Sequence, residues 1–257
     1  MKERRREPKT RPLGARRNRK SATKPGFRPQ FRPNEQPFRR DGAITLSIEK
    51  EPRLYLITPE IVDARLFADR LAKVLATLDV PAVLLNLAEA DEAQLARQIK
   101  LLAPIVQNAG AALLLKDRPK LVAHSAADGA HISGIDEFQE ARVTLQPNFI
   151  LGAGGLVSRH DAMLAGEGNA DYLMFGEPNE FGERPQFETV LERVAWWAEV
   201  FVIPCVAYAS ELDEVRALVD SGADFIAVDT LLWDNPEGVE ASLKMIAGEL
   251  RSAEPAT

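Results

Sequence analysis

Short apolar runs alternate with amphipathic stretches along most of the chain. The apolar runs are Leu54–Thr58, Ala82–Leu87, Ala111–Lys116, Gly129–Ser133, Phe149–Ala153, Tyr172–Gly176, Phe201–Ala207 and Phe225–Asp229. They are nearly continuous rather than alternating, as expected of parallel strands covered on both faces. Between them the spacing predicts helices near 61–78, 91–108, 118–126, 137–144, 159–168, 188–200 and 211–221, with a last one near 236–251. Asp91-Glu92, Ser158 and Ser210-Glu211 supply caps or first-turn acids. An Ala-Asp pair recurs just ahead of three strands, at Ala127-Asp128, Ala170-Asp171 and Ala223-Asp224, with the acids 43 and 53 positions apart. In Ser221-Gly222-Ala223-Asp224 glycine ends a helix and a short polar turn enters the strand. Eight such strand–helix units in about 200 residues predict a (β/α)8 TIM barrel. A doubly wound open sheet is the alternative, but Gly152-Ala153-Gly154-Gly155 lacks the third spaced glycine of a dinucleotide-binding turn.

Charge divides the chain in two. Residues 1–42 hold 15 Lys/Arg and 4 Asp/Glu, a net of +11, and the remainder carries −17 of the overall −6. Six of the 17 prolines lie in that first stretch, and its large apolar residues are few, so it cannot offset the entropy of ordering its backbone. The expected organisation is a disordered basic tail over 1–42 and a barrel over 43–257. The tail has two readings: its basic residues with interleaved Phe27, Phe31 and Phe38 contact RNA or another anionic surface non-specifically, or it is a solvated extension. It lacks the apolar run of a secretory signal, and no segment reaches the ~18 uncharged apolar residues of a membrane span. The single Cys205 excludes an intramolecular disulfide and suits a reducing compartment, so a cytoplasmic protein without membrane contact is expected. Homo-oligomerisation is open. Trp196-Trp197 fall about 100° apart on their helix, one positioned for the barrel wall and one for the surface.

Barrel chemistry sits on the loops after the C-terminal ends of strands. Those positions hold Thr58, Asn86, Lys116-Asp117-Arg118, Ser133 with Asp136, Gly152–Gly155, Gly176-Glu177, Tyr208 and Asp229-Thr230. Asp117 and Asp136 fall on adjacent loops and are placed to share a Mg²⁺, which takes few protein carboxylates plus substrate phosphate. The plainer alternative pairs Asp117 with Arg118 and makes Asp136 a helix cap.

These residues also carry a family resemblance. Leu54-Tyr55-Leu56-Ile57-Thr58 resembles the opening strand of the thiamine phosphate synthase family, a (β/α)8 group with thiazole tautomerase relatives. Lys116-Asp117-Arg118 is similar to its Asn-Asp-Arg motif, and Ala127-Asp128-Gly129-Ala130-His131-Ile132 with Asp136 to its Ala-Asp-Gly-Val-His-Leu segment and later Asp. Ala170–Gly176 and Gly222–Val228 fit its sixth and eighth strands. The resemblance implies thiamine metabolism, and coupling of a pyrimidine methyl pyrophosphate to a thiazole phosphate with Mg²⁺-assisted release of pyrophosphate. Arg118 and Lys116 would then neutralise the leaving group, with Asp117 and Asp136 on the metal. Gly152, Gly154, Gly155, Thr230 and His131 would meet a small phosphorylated heterocycle.

Departures from the family pattern fall on the chemistry. The expected Gln-x-Arg-x-Lys donors read Leu84-Leu85-Asn86-Leu87-Ala88, Ser133-Gly134 stands for Gly-Gln, and Gly154 approximates the place of a serine. The phosphate loop after the sixth strand reads Glu177-Pro178-Asn179-Glu180-Phe181-Gly182-Glu183-Arg184, the turn after the seventh is Ala207-Tyr208-Ala209-Ser210, and Asp229 stands beside Thr230. Such changes predict weakened coupling, with a non-catalytic ligand-binding or regulatory barrel as the alternative. A tautomerase-like isomerase is the third reading, but Leu156-Val157 stand where its histidine is needed and His160 belongs to the next helix.

Overall fold

The computed structural model describes residues 52–251. The basic stretch over 1–42 lies outside the described residues. Eight parallel strands close in chain order into a barrel: β1 (Arg53–Ile57), β2 (Ala82–Leu85), β3 (Ala112–Lys116), β4 (Gly129–Ser133), β5 (Ile150–Gly154), β6 (Tyr172–Phe175), β7 (Cys205–Tyr208) and β8 (Phe225–Val228). Helices α1 (Ala64–Leu75), α2 (Glu92–Asn108), α3 (Pro119–Val122), α4 (Ile135–Leu145), α5 (Arg159–Glu167), α6 (Phe187–Val200) and α7 (Leu212–Asp220) follow the first seven strands. After β8 come α8 (Thr230–Trp233) and α9 (Val239–Arg251). No helix among the described residues is long and apolar enough to cross a membrane.

Alternation along each strand sorts side chains into two cores. Tyr55, Ile57, Leu84, Leu114, Tyr172 and Met174 belong to the cluster inside the barrel. Leu54, Leu56, Val83, Leu85, Leu113 and Leu115 belong to the one between strands and helices. Both sets are apolar, which is why the strand sequences read as continuous runs. At Gly152 in β5 the interior position has to be glycine: a Cβ there would stand 2.0 Å from Cζ of Tyr172. Tyr172 can cross the barrel only because β5 yields that space.

The recurring Ala-Asp pairs are a strand-pairing device. Asp128 accepts the N–H of Leu113 at 2.8 Å, Asp171 that of Leu151 at 2.8 Å, and Asp224 that of Cys205 at 2.9 Å. Each acid, just ahead of an even-numbered strand, satisfies an N–H near the start of the strand before it. Such a group would otherwise lose its partner where the staggered ladder ends.

Three boundaries differ from the sequence pattern. α3 is a single turn, because Pro119 opens it and the chain must turn again before Asp128. β7 begins at Cys205 rather than Phe201. The Phe201 N–H still caps α6 on Trp197, its ring stacks on Trp197 at 4.0 Å, and Pro204 cannot donate to the ladder. The extra turn α8 separates β8 from α9. The tryptophan pair divides as expected: Trp197 is fully buried and donates to the Ile203 carbonyl at 2.8 Å, while Trp196 is half-buried beneath Arg159.

Removing one strand-start acid orphans a backbone donor. Asp171→Ala is expected to cost about 1–3 kcal/mol in denaturant unfolding, against less than about 0.5 kcal/mol for the exposed Glu180→Ala. Equal effects would contradict the capping role.

Candidate functional site

The C-terminal rim of the barrel holds a cavity of about 240 Å³, floored by Leu84 and Met174 and walled by Ile57, Pro178 and Trp233. Trp233 is fixed by its indole N–H on the Ile57 carbonyl at 2.7 Å. Polar groups enter from nearly every strand end: Thr58, Asn86, Lys116, Ser133, Tyr208 and Thr230. Among the described lining residues Lys116 is the single Lys or Arg, against Glu60, Glu177, Asp229 and Asp234. The cavity is therefore acidic.

Glu177 follows Gly176 at the end of β6 and is partly buried. The N–H of Gly155, a residue with a positive φ of 60°, donates to Glu177 Oε1. The same oxygen and His131 Nε2 flank Gly154, so close that a Cβ there would meet them at 2.1 and 2.4 Å. His131 is buried in β4, with Nδ1 3.1 Å from the Tyr172 hydroxyl, which lies 2.7 Å from that of Tyr55. Burial pushes the Glu177 carboxyl up to about 7, against the lowering effects of the Gly155 N–H, its own N–H and Lys116, and with a smaller upward push from Asp117. Burial holds His131 down at about 4; Asp117 pulls it upward and Lys116 lowers it further. Burial also raises both tyrosines, so each stays a neutral hydroxyl.

The backbone donors at this rim already have acceptors. Gly155 meets Glu177. At the start of α7, Glu214 accepts the N–H groups of Ser210 at 2.7 Å and Glu211 at 3.4 Å. Arg184 pairs with that carboxylate at 3.2 Å while donating to the Gly176 and Tyr208 carbonyls and the Ser210 hydroxyl. At the start of α8, Asp229 accepts from the Thr230 N–H and hydroxyl, and from the Tyr208 hydroxyl at 2.6 Å. At Gly155, at the start of α7 and at Thr230, backbone N–H donors are thus held by carboxylates of the chain.

Several residues singled out in the sequence converge here. Lys116, His131 and Thr230 line the cavity. Gly152 and Gly154 face the barrel interior and make room for Tyr172, His131 and Glu177. Arg118 turns away to Glu89 at 2.7 Å and to the Leu87 carbonyl. Asp117, with φ of 51°, commits both carboxylate oxygens to Ser133, on its N–H at 2.7 Å and its hydroxyl at 3.0 Å. Asp136 is exposed in the first turn of α4. Among the described residues no group of three His, Cys, Asp or Glu side chains gathers to hold a metal ion. Glu183 and Glu180 stay outside the cavity, Glu183 binding back to Asn179.

A family model described as thiamine monophosphate synthase matches residues 54–231. The chain belongs to that family. It is 39% identical to a thiamine-phosphate synthase of Rhodospirillum centenum, over 74% of this chain and 94% of the relative. It is 34% identical to one of Hyphomonas neptunium, over 75% and 90%. The fold is also that of a thiamine phosphate pyrophosphorylase from Pyrococcus furiosus, with a TM-score of 0.62 at 24% identity, covering 79% of this chain and all of that one. Within the family frame, Glu214, Glu60 and the Tyr55–Tyr172 pair escaped sequence reasoning. The spacing Glu211-x-x-Glu214 at a helix start, that of a capping box, was the available signal for the first.

The two shifted groups bend stability in opposite directions with pH. Folded His131 binds fewer protons than its unfolded form, so its contribution grows as pH rises from about 4 to 6.5. Folded Glu177 binds more, so its contribution shrinks as pH rises from 4.5 to about 7. The slopes cancel in part between 4.5 and 6.5. Glu177→Gln removes only the falling one, so its melting temperature should climb over that window while the wild type stays nearly flat. Parallel profiles would contradict the assignment.

Proposed function

We infer that this family member serves thiamine metabolism as a ligand-binding barrel, holding a small heterocycle in the rim cavity without coupling it through release of pyrophosphate. One observation carries this reading: the backbone donors positioned for phosphate at Gly155, Ser210 and Thr230 are each held by a carboxylate of the chain. A phosphate entering there must displace acceptors whose charged hydrogen bonds are worth about 1.5–3 kcal/mol each. Any carboxylate left about 4 Å away repels it by roughly 4 kcal/mol per charge pair near a protein surface. Lys116 offsets one such charge. A cytoplasmic location accompanies the reading, in keeping with the single, buried Cys205.

The coupling reaction itself is the second reading, favoured by 39% identity to a protein named thiamine-phosphate synthase. It would take a small phosphorylated heterocycle and Mg²⁺, with Asp117 and Asp136 as candidate carboxylates.

Turnover separates the two. With a pyrimidine methyl pyrophosphate, a thiazole phosphate and Mg²⁺, the chain is expected to give no product above the protein-free background. Product formation lost on Asp117→Ala and Asp136→Ala, at least a hundredfold, would overturn the binding reading and establish the coupling one.

A further inference from the structure

The Glu177 carboxyl is held from behind and open in front. Its Oε1 takes the Gly155 N–H and sits beside His131, whose ring is anchored through Tyr172 to Tyr55. Beyond the Gly155 N–H and its own N–H, the carboxyl takes no hydrogen bond from a described residue, and Glu177 lines the cavity. A carboxyl fixed at one oxygen leaves the other to donate or accept a single proton. The apolar floor and walls fit the faces of a flat ring, and about 240 Å³ suits one ring with small substituents. The acidic lining disfavours an anion and favours a ligand able to take up positive charge.

We propose that Glu177 selects the ligand, and that the ligand is a neutral heteroaromatic base, free of phosphate, whose ring nitrogen shares one proton with Oε2. This rests on the cavity being a heterocycle site. The shared-proton complex is the neutral acid hydrogen-bonded to the neutral base, or the carboxylate paired with the protonated base; no bond other than the N–H or O–H changes. Charged and titratable groups facing Glu177 are Lys116 and Asp117 at the end of β3, His131 in β4, Tyr172 in β6 and Tyr55 in β1. Glu60, Asp229 and Asp234 share the cavity with it. Since burial already lifts the carboxyl to about 7, a base that titrates near neutrality matches it, and the pair titrates as a unit.

Calorimetric titration of the full chain tests this with three probes: 2-aminopyridine as the base, aniline as the same-sized ring lacking a ring nitrogen, and N-methylpyridinium as a permanent cation. The expected result is binding of 2-aminopyridine that peaks near pH 7 and weakens by up to about tenfold per pH unit on either side, with aniline at least tenfold weaker. Glu177→Gln should weaken 2-aminopyridine at least tenfold at pH 7 and abolish the loss above that pH. The wild-type profile decides the matter even where that variant fails to fold. Binding of 2-aminopyridine with a flat profile above pH 7, or equal binding of N-methylpyridinium, overturns the proposal while leaving the heterocycle site intact. Absence of binding by all three probes overturns both the proposal and the site reading. Coupling turnover, whose substrates carry phosphate, overturns both the ligand-binding function and the claim that the ligand is free of phosphate.

Discussion

A backbone N–H at the end of a barrel strand or the start of a helix must find an acceptor, and in this chain the acceptor is repeatedly a carboxylate of the chain itself. At the strand starts Asp128, Asp171 and Asp224 tie each even-numbered strand to the one before it. At the opposite rim Glu177, Glu214 and Asp229 do the same for Gly155, for Ser210 and Glu211, and for Thr230. The same pairing has opposite consequences at the two ends. Below, it completes a ladder and stabilises the barrel. Above, it occupies backbone donors that would otherwise be open to a ligand, the observation behind the proposed binding function. Part of the net charge of −17 outside the basic tail is therefore committed to backbone donors rather than spread over a solvated surface.

The interior of β4, β5 and β6 ties this rim to the core. Glycines at 152 and 154 remove side-chain volume where Tyr172, His131 and Glu177 cross. Their burial keeps the imidazole neutral and the carboxyl near its midpoint at neutral pH. A glycine-rich strand end that suggests a phosphate cup in one dimension thus serves in three dimensions to let large polar side chains pack. Arg184 shows the same economy. It spans the ends of β6 and β7 and meets Glu214, so a basic residue in the loop where the family's phosphate contacts are expected is spent on holding the fold together.

Much of the fold is legible in the sequence because parallel strands buried on both faces leave continuous apolar runs, and those runs lie where β1 to β8 lie. Phe201–Pro204 misled because Phe201 stacks on Trp197 and Pro204 cannot donate to the ladder, while Val202 is exposed. The turn at α8 left no periodicity to read, being four residues long. At the site, the strand-end positions Asn86, Lys116, Glu177, Tyr208 and Asp229 follow from topology alone, and they do line the cavity. Pairing between them does not follow. That Asp117 serves Ser133, that Arg118 leaves for Glu89, and that Glu214 reaches back to Ser210 depend on side-chain directions that spacing does not encode. The Ala-Asp repeat was visible as a pattern, but its cause, an acid reaching the neighbouring strand, needed the register.

The central claim is that the rim amides are already held by the chain's own carboxylates. Titration of ¹⁵N-labelled protein with inorganic pyrophosphate, followed by amide chemical shifts, tests it most directly. The account predicts that Gly155, Ser210, Glu211 and Thr230 show no saturable shift up to millimolar pyrophosphate. Saturable shifts concentrated on those four amides would contradict it.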